Sequence, residues 1–296
     1  MAARRDSMAL AGEMGLLRLS PQSHSKPWGK RQLGAWGLGA ILAPHDAPIG
    51  EIHHRLNDKM GDAPLLVKTL FTAERLSIQV HPNDVMAKSV GAARGKDEAW
   101  VVLAAEPGAT IGLGLRERCS LDDLRAASLD GSIVDLLDWR DCAAGDVFFA
   151  PAGTIHAIGG GVTLFEIQQN LDVTYRLFDY GRGRPLHLEN ALAAARPQPW
   201  CPQAVLASPG KGRELLVEGP TFILERVHVA TAGRLRATPE KPVLVAVADG
   251  RGEMAGAAFA TGEVWQASQS LAISGSADLL LAYEGAVAAN DLWLEG

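Results

Sequence analysis

Apolar positions along the chain gather into short runs. Leu76–Val80, Ala99–Leu103, Thr110–Leu113, Val147–Ala150, Thr163–Gln168, Val173–Phe178, Thr221–Val229, Val243–Ala248 and Leu279–Tyr283 are separated by Gly, Pro and Asp. Runs of that length, punctuated by turn residues, predict the strands of a β-sandwich or barrel. Helical periodicity appears chiefly over 120–137, where Ser120 is placed to cap a helix and Asp123 stands at its third position, so the pattern predicts a helical insert between strands. A second helical stretch, 187–196, meets Pro197-Gln198-Pro199-Trp200-Cys201-Pro202, which cannot continue a helix. The proline cluster predicts a linker that divides residues 1–200 from 201–296, the second part being another small β-domain. The residues show no tandem repeat.

The 296 residues are 47% hydrophobic and 21% charged, a composition that supports one large core or two adjoining ones in a soluble globular protein. With 34 acidic residues against 28 Lys plus Arg, the formal charge of −6 argues against a broad nucleic-acid surface but allows a small basic pocket for an anion. Cys119, Cys142 and Cys201 are far apart, so neither a disulfide framework nor a thiolate zinc site is indicated and a reducing cytoplasm is expected. Asp6 and Ser7 precede any apolar run, and Ala9 to Leu17 is broken by Gly and Glu, so no export signal is read. No run approaches the roughly 18 apolar residues of a membrane helix.

Candidate chemistry begins with Gln79 and His81 in Ser77-Ile78-Gln79-Val80-His81-Pro82. Residues i and i+2 of a strand share a face, so both side chains point one way while Ile78 and Val80 pack on the other. With Glu98 and His156 they offer two imidazole nitrogens, a carboxylate and an amide oxygen, a set suited to a borderline divalent ion, zinc first. Gly145-Asp146-Val147-Phe148-Phe149-Ala150-Pro151-Ala152-Gly153-Thr154-Ile155-His156 follows the second cupin pattern, in which glycines supply turn geometry and proline rigidifies the approach of the histidine. The bland alternative for His81 and His156 is that of hydrogen-bonded core histidines.

Lys26-Pro27-Trp28-Gly29, Gly95-Lys96-Asp97-Glu98-Ala99-Trp100, Glu166-Ile167-Gln168-Gln169-Asn170 and Tyr175 through Arg182 add to these. On these segments the chain resembles type I phosphomannose isomerases, in their short bacterial form, over roughly residues 15 to 200. The resemblance implies an all-β protein of two cupin-like barrel domains, zinc held by Gln79, His81, Glu98 and His156, and interconversion of mannose 6-phosphate and fructose 6-phosphate. It also implies catalytic roles for Arg176 and for Glu166, the leading base, with a zinc-bound water or Asp172 as alternatives. Phosphate binding is expected from Ser77, Lys96 and Arg182, whose hydroxyl and cationic donors can orient a dianion.

The bland readings are a solvent-facing or ion-paired Glu166, an Arg176 paired with Asp179 or Asp172, and a solvated Lys96. His53, His54, His187 and His228 are read as ordinary, and Trp100 as core packing. After His228 the second domain contains no histidine, so it is expected to support the first without a metal of its own. Competing functions are a non-catalytic phosphosugar-binding cupin and an iron-dependent cupin dioxygenase, the latter usually presenting three histidines.

Overall fold

The computed structural model describes residues 15–38, 47–55, 63–204 and 206–296. The reading of the extreme N-terminus for an export signal falls mostly outside them. Among the described residues the strands form three antiparallel sheets. One has six strands in the spatial order Ser20–Lys30, Ile49–Arg55, Leu65–Phe71, Val162–Gln169, Glu98–Ala105 and Val147–Ala150. A five-stranded sheet runs Tyr175–Phe178, Ile78–Val80, His156–Ile158, Thr110–Leu115 and Leu137–Asp141. Their inner faces meet through Leu70, Trp100, Val102, Ile111, Leu113 and Leu164, closing the first cupin-like barrel.

Both sheets are covered on their outer faces as well. Leu124, Ala127, Ile133, Ala191 and Leu192 from the helices pack on Ile78, Val80, Ala157 and Leu177 of the five-stranded sheet. The outer residues Val67, Val101, Phe165 and Ile167 of the six-stranded sheet pack on Phe222, Leu224, Ala246 and Leu280 of the second barrel. Strands buried on two faces read as continuous apolar runs, which is why Val162–Gln169 is buried at every position. Complete burial of Phe165 stabilises the fold by about 1.5–3 kcal/mol. Because the outer face takes Phe165 and Ile167, the alternate residues Leu164, Glu166 and Gln168 turn into the barrel.

The third sheet has nine strands and builds the second barrel from Arg213 onward. It also takes in Leu16–Arg18, which pairs with Val264–Ala267 although it lies within the first 200 residues. The helical insert is two pieces, Leu121–Asp130 and Ile133–Leu136, rather than one helix reaching Leu137. Gly131 ends the first piece at φ 87, a left-handed conformation, and Leu137 already begins a strand. The Ser120–Asp123 capping box forms as the spacing predicts. Leu188–Ala194 is helical and stops ahead of Pro197. Asp84–Ser89 is a short helix that the periodicity does not predict; Asn83 caps it, its side chain accepting from the Met86 N–H at 2.9 Å.

Candidate metal centre

Gln79 and His156 stand directly opposite one another on neighbouring strands, and His81 follows Gln79 on the same face. Glu98 opens a strand of the other sheet, so the four side chains reach one point from both walls of the barrel. Two tight features bring them there. Gly153 adopts φ 90 in the turn before His156, and its N–H donates to the His81 carbonyl at 2.9 Å. Gly95 lets the segment carrying Glu98 press against Asn83 and Asp84, where a Cβ would lie 2.5 Å from backbone.

One ligand-type atom each from His81, Glu98 and His156 falls within 4.8 Å of the others, and all three residues are buried. His81 Nε2 lies 3.3 Å from Glu98 Oε2, and His156 Nε2 lies 3.0 Å from Glu98 Oε1. Gln79 adds its amide 3.2 Å from His156 Nε2. Each imidazole sets its other nitrogen against a carbonyl, His81 Nδ1 on Val173 at 3.0 Å and His156 Nδ1 on Thr154 at 2.9 Å. A carbonyl can only accept, so Nδ1 carries a proton, and in the neutral imidazoles both Nε2 lone pairs then face inward. Neither carboxylate oxygen of Glu98 has an aligned hydrogen-bond donor despite its burial.

Inward lone pairs around a buried carboxylate make a set of acceptors that a divalent cation satisfies, and two nitrogens with two oxygens fit zinc. The Gln79 amide fits too, because a half-turn about its last bond exchanges nitrogen for oxygen; Ser77 Oγ, now 3.1 Å from Gln79 Oε1, can then accept. Burial, followed by the Lys96 charge, pushes the His81 imidazole down to about 3, so it is neutral, as a metal ligand must be. Burial alone would raise Glu98, but the Lys96 charge beside it leads the influences that hold it well below the usual carboxylate range.

A cavity of about 360 Å³ opens beside this cluster, and Ser77, Gln79, Lys96, Glu166 and Arg176 all line it. Lys96 Nζ sits 2.9 Å from Glu98 Oε2 and 3.0 Å from His81 Nε2, which ties it to the His–Glu–His cluster. Glu166 is buried rather than solvent-facing; Lys68 Nζ lies 3.2 Å away and the Trp100 indole donates to it at 3.3 Å. Trp100 is fully buried core, as expected, and also the partner of that carboxylate. Arg176 has a buried Nε without a hydrogen-bond partner, and burial, followed by the nearby Arg184 charge, lowers its pKa. Arg182 lies outside the lining, donating to Glu74 at 3.0 Å and to the Arg75 carbonyl at 2.8 Å, with Asp179 beside it.

Glu51, Lys68 and Arg184 line the cavity without being singled out in the sequence, where Lys26 figures only in a motif and His187 as an ordinary histidine. Lys68 carries the clearest signal, a single cation in Leu65-Leu66-Val67-Lys68-Thr69-Leu70-Phe71. Burial opposes its charge, yet Glu166 and then Glu51 raise its pKa above the ordinary lysine value. Arg184 binds Asp179 through two nitrogens. His187, read as ordinary, lines the cavity while its Nδ1 accepts from the Arg176 backbone N–H at 3.3 Å. His53 and His54 do fit that reading, bonded to Glu51 and Thr69.

No family model matches the chain. It is 35% identical over 207 residues to mannose-6-phosphate isomerase of Streptococcus mutans, a match covering 67% of this chain and 65% of that protein, just under two thirds of its length. Mannose-6-phosphate isomerase ManA of Bacillus subtilis is 33% identical over 217 residues, covering 68% of each chain. Among solved structures, the mannose 6-phosphate isomerase from Bacillus subtilis superposes with a TM-score of 0.78 at 24% identity, over 90% of this chain and 99% of that one.

Proposed function

Because this chain belongs to the mannose-6-phosphate isomerase family, we propose that it interconverts mannose 6-phosphate and fructose 6-phosphate at a zinc ion held by Gln79, His81, Glu98 and His156. The observation that carries this reading is the convergence of two inward Nε2 lone pairs on a buried carboxylate that lacks any aligned donor. When bound, zinc supplies Lewis-acid stabilisation of negative charge on the substrate oxygens. Glu166 takes the proton from C2 of the aldose and returns it to C1, while the O2 hydroxyl proton ends on O1, through an enediol. Lys68, 3.2 Å from Glu166, holds that carboxylate in place. Arg176, with no ion pair among the described residues, faces the oxyanion that appears in passing.

The phosphate dianion is assigned to Ser77 and the cationic rim that Arg184 and Arg182 form through their shared partner Asp179, with Lys96 reaching substrate from the metal side. Residues 1–200 carry the chemistry in this proposal and 201–296 support it; among the described residues the His81, Glu98 and His156 group is the one such metal-type cluster. A cytoplasmic setting belongs to the same proposal, in keeping with three free cysteines. No described helix is long and apolar enough to cross a membrane. The test is purified protein given mannose 6-phosphate. Fructose 6-phosphate should appear, vanish on chelation and return with zinc. A zinc-loaded protein without turnover sinks the proposal, and oxygen consumption in its place marks a dioxygenase.

A further inference from the structure

Asp97 lies between Lys96, which lines the cavity, and Glu98 of the buried cluster; it is itself buried and outside the cavity lining. Both of its carboxylate oxygens are used. Oδ1 accepts from the Ala152 N–H at 2.8 Å, in the turn that delivers His156. Oδ2 accepts from the Thr221 hydroxyl at 2.9 Å, and Thr221 caps the hairpin between Arg213–Glu218 and Phe222–Val229 of the second barrel. Its backbone is held as firmly. The Asp97 N–H donates to Gln169 Oε1 at 2.9 Å, and the Gln169 N–H returns to the Asp97 carbonyl at 3.0 Å. Gln169 Nε2 in turn donates to Asp84 Oδ1 at 3.2 Å, and Asp84 Oδ1 accepts the Gly95 N–H at 2.7 Å.

We propose that Asp97 is a positioning residue that fixes Glu98 and His156 relative to one another and keys both to the second barrel through Thr221. The two ligands come from opposite sheets: the strand ladder sets Glu98 against Ala150 and ends there, six residues before His156. Asp97 spans that gap with one side chain, one residue from Glu98 and, through Ala152, four residues from His156. Phe149 and Phe222, edge to face with centroids 6.0 Å apart, stiffen the same junction. The second barrel is therefore part of the metal centre's support and not only a neighbour. Partners standing behind metal ligands commonly set affinity by about 10–100-fold.

This inference rests on the zinc reading, and its test separates the two. Zinc affinity is measured by chelator competition for wild type, Asp97→Ala, Asp97→Asn and Thr221→Val, alongside melting of the zinc-free proteins. Asp97→Ala should bind zinc about 10–100-fold more weakly. Thr221→Val, which keeps shape and loses only the cross-barrel bond, should show a smaller loss in the same direction and stands in if the alanine variant does not fold. Asp97→Asn should stay near wild type, because its amide can accept from Ala152 and donate to Thr221. Variants that melt earlier yet bind zinc as wild type does reduce Asp97 to a fold contact and overturn the inference alone. A wild-type protein that takes up no zinc overturns the metal reading beneath it.

Discussion

Each barrel buries a glutamate, and the two are finished in opposite ways. In the second barrel Glu225 is saturated. Arg213 donates to both of its oxygens at 2.7 Å, the Tyr283 hydroxyl adds a bond at 2.5 Å, and the remaining Arg213 donors go to the Pro209, Ala289 and Asn290 carbonyls. In the first barrel Glu98 is equally inaccessible, yet its neighbours present lone pairs and one lysine. A buried carboxylate enclosed by fixed donors behaves as a staple. One enclosed by other acceptors is arranged for a cation, and burial alone does not tell the two apart.

The two barrels should differ most when their buried carboxylates are disturbed. Glu98→Gln should abolish zinc retention, read by metal analysis after gel filtration, and with it isomerase turnover, while the protein stays folded. Retained zinc would deny Glu98 its role as a ligand. Arg213→Met leaves Glu225 buried without its counter-charge and should cost about 3–5 kcal/mol in denaturant unfolding. It should leave zinc affinity in place; an equal loss of zinc would mean that the two sites are not distinct in kind. Arg176→Ala should lower turnover by about 10²–10³-fold with metal content unchanged, the scale for losing a group that stabilises transition-state charge. Zinc loss in that variant would move Arg176 from chemistry to structure.

A smaller effect comes from His54, fully buried in the first barrel and bonded through Nε2 to Thr69 at 2.9 Å. Burial, followed by the charges of His53 and Arg18, lowers it from 6.5 to about 3. Between those values the unfolded chain binds a proton that the folded chain refuses. Its contribution is therefore complete above pH 6.5 and is lost as pH falls toward 3, at about 1.4 kcal/mol per pH unit. His54→Gln should flatten the acid limb of the stability curve by that amount. An unchanged slope would show that His54 is not held neutral.

The cluster of Gln79, His81, Glu98 and His156 was legible because each member sits in a local pattern: the strand pair at Gln79 and His81, the hairpin before His156, and the Gly-Lys-Asp-Glu run. The β architecture was legible in the same way, from short runs and turn residues. What escaped depends on register between strands far apart in sequence. Lys68 is opposite Glu166 only because Leu65–Phe71 and Val162–Gln169 pair in that alignment, and an apolar run with one lysine reads locally as a core strand. Asp97 and Thr221 are 124 residues apart, and nothing local to either announces the other. Arg182 and Arg184 show the converse, since both carry the right charge and only packing decides which one lines the cavity.

The crossing of Leu16–Arg18 into the sheet of the second barrel has a practical result. Cutting the gene at the proline linker does not yield two clean halves. A fragment starting near residue 201 would bare the Val264–Ala267 edge together with Phe222, Leu224 and Leu280, an open β-rim beside an oily face, and such surfaces invite self-association into aggregates. Co-expressing residues 15–38 as a separate peptide cannot hide that face, so solubility is expected to return only when the whole polypeptide is made in one piece.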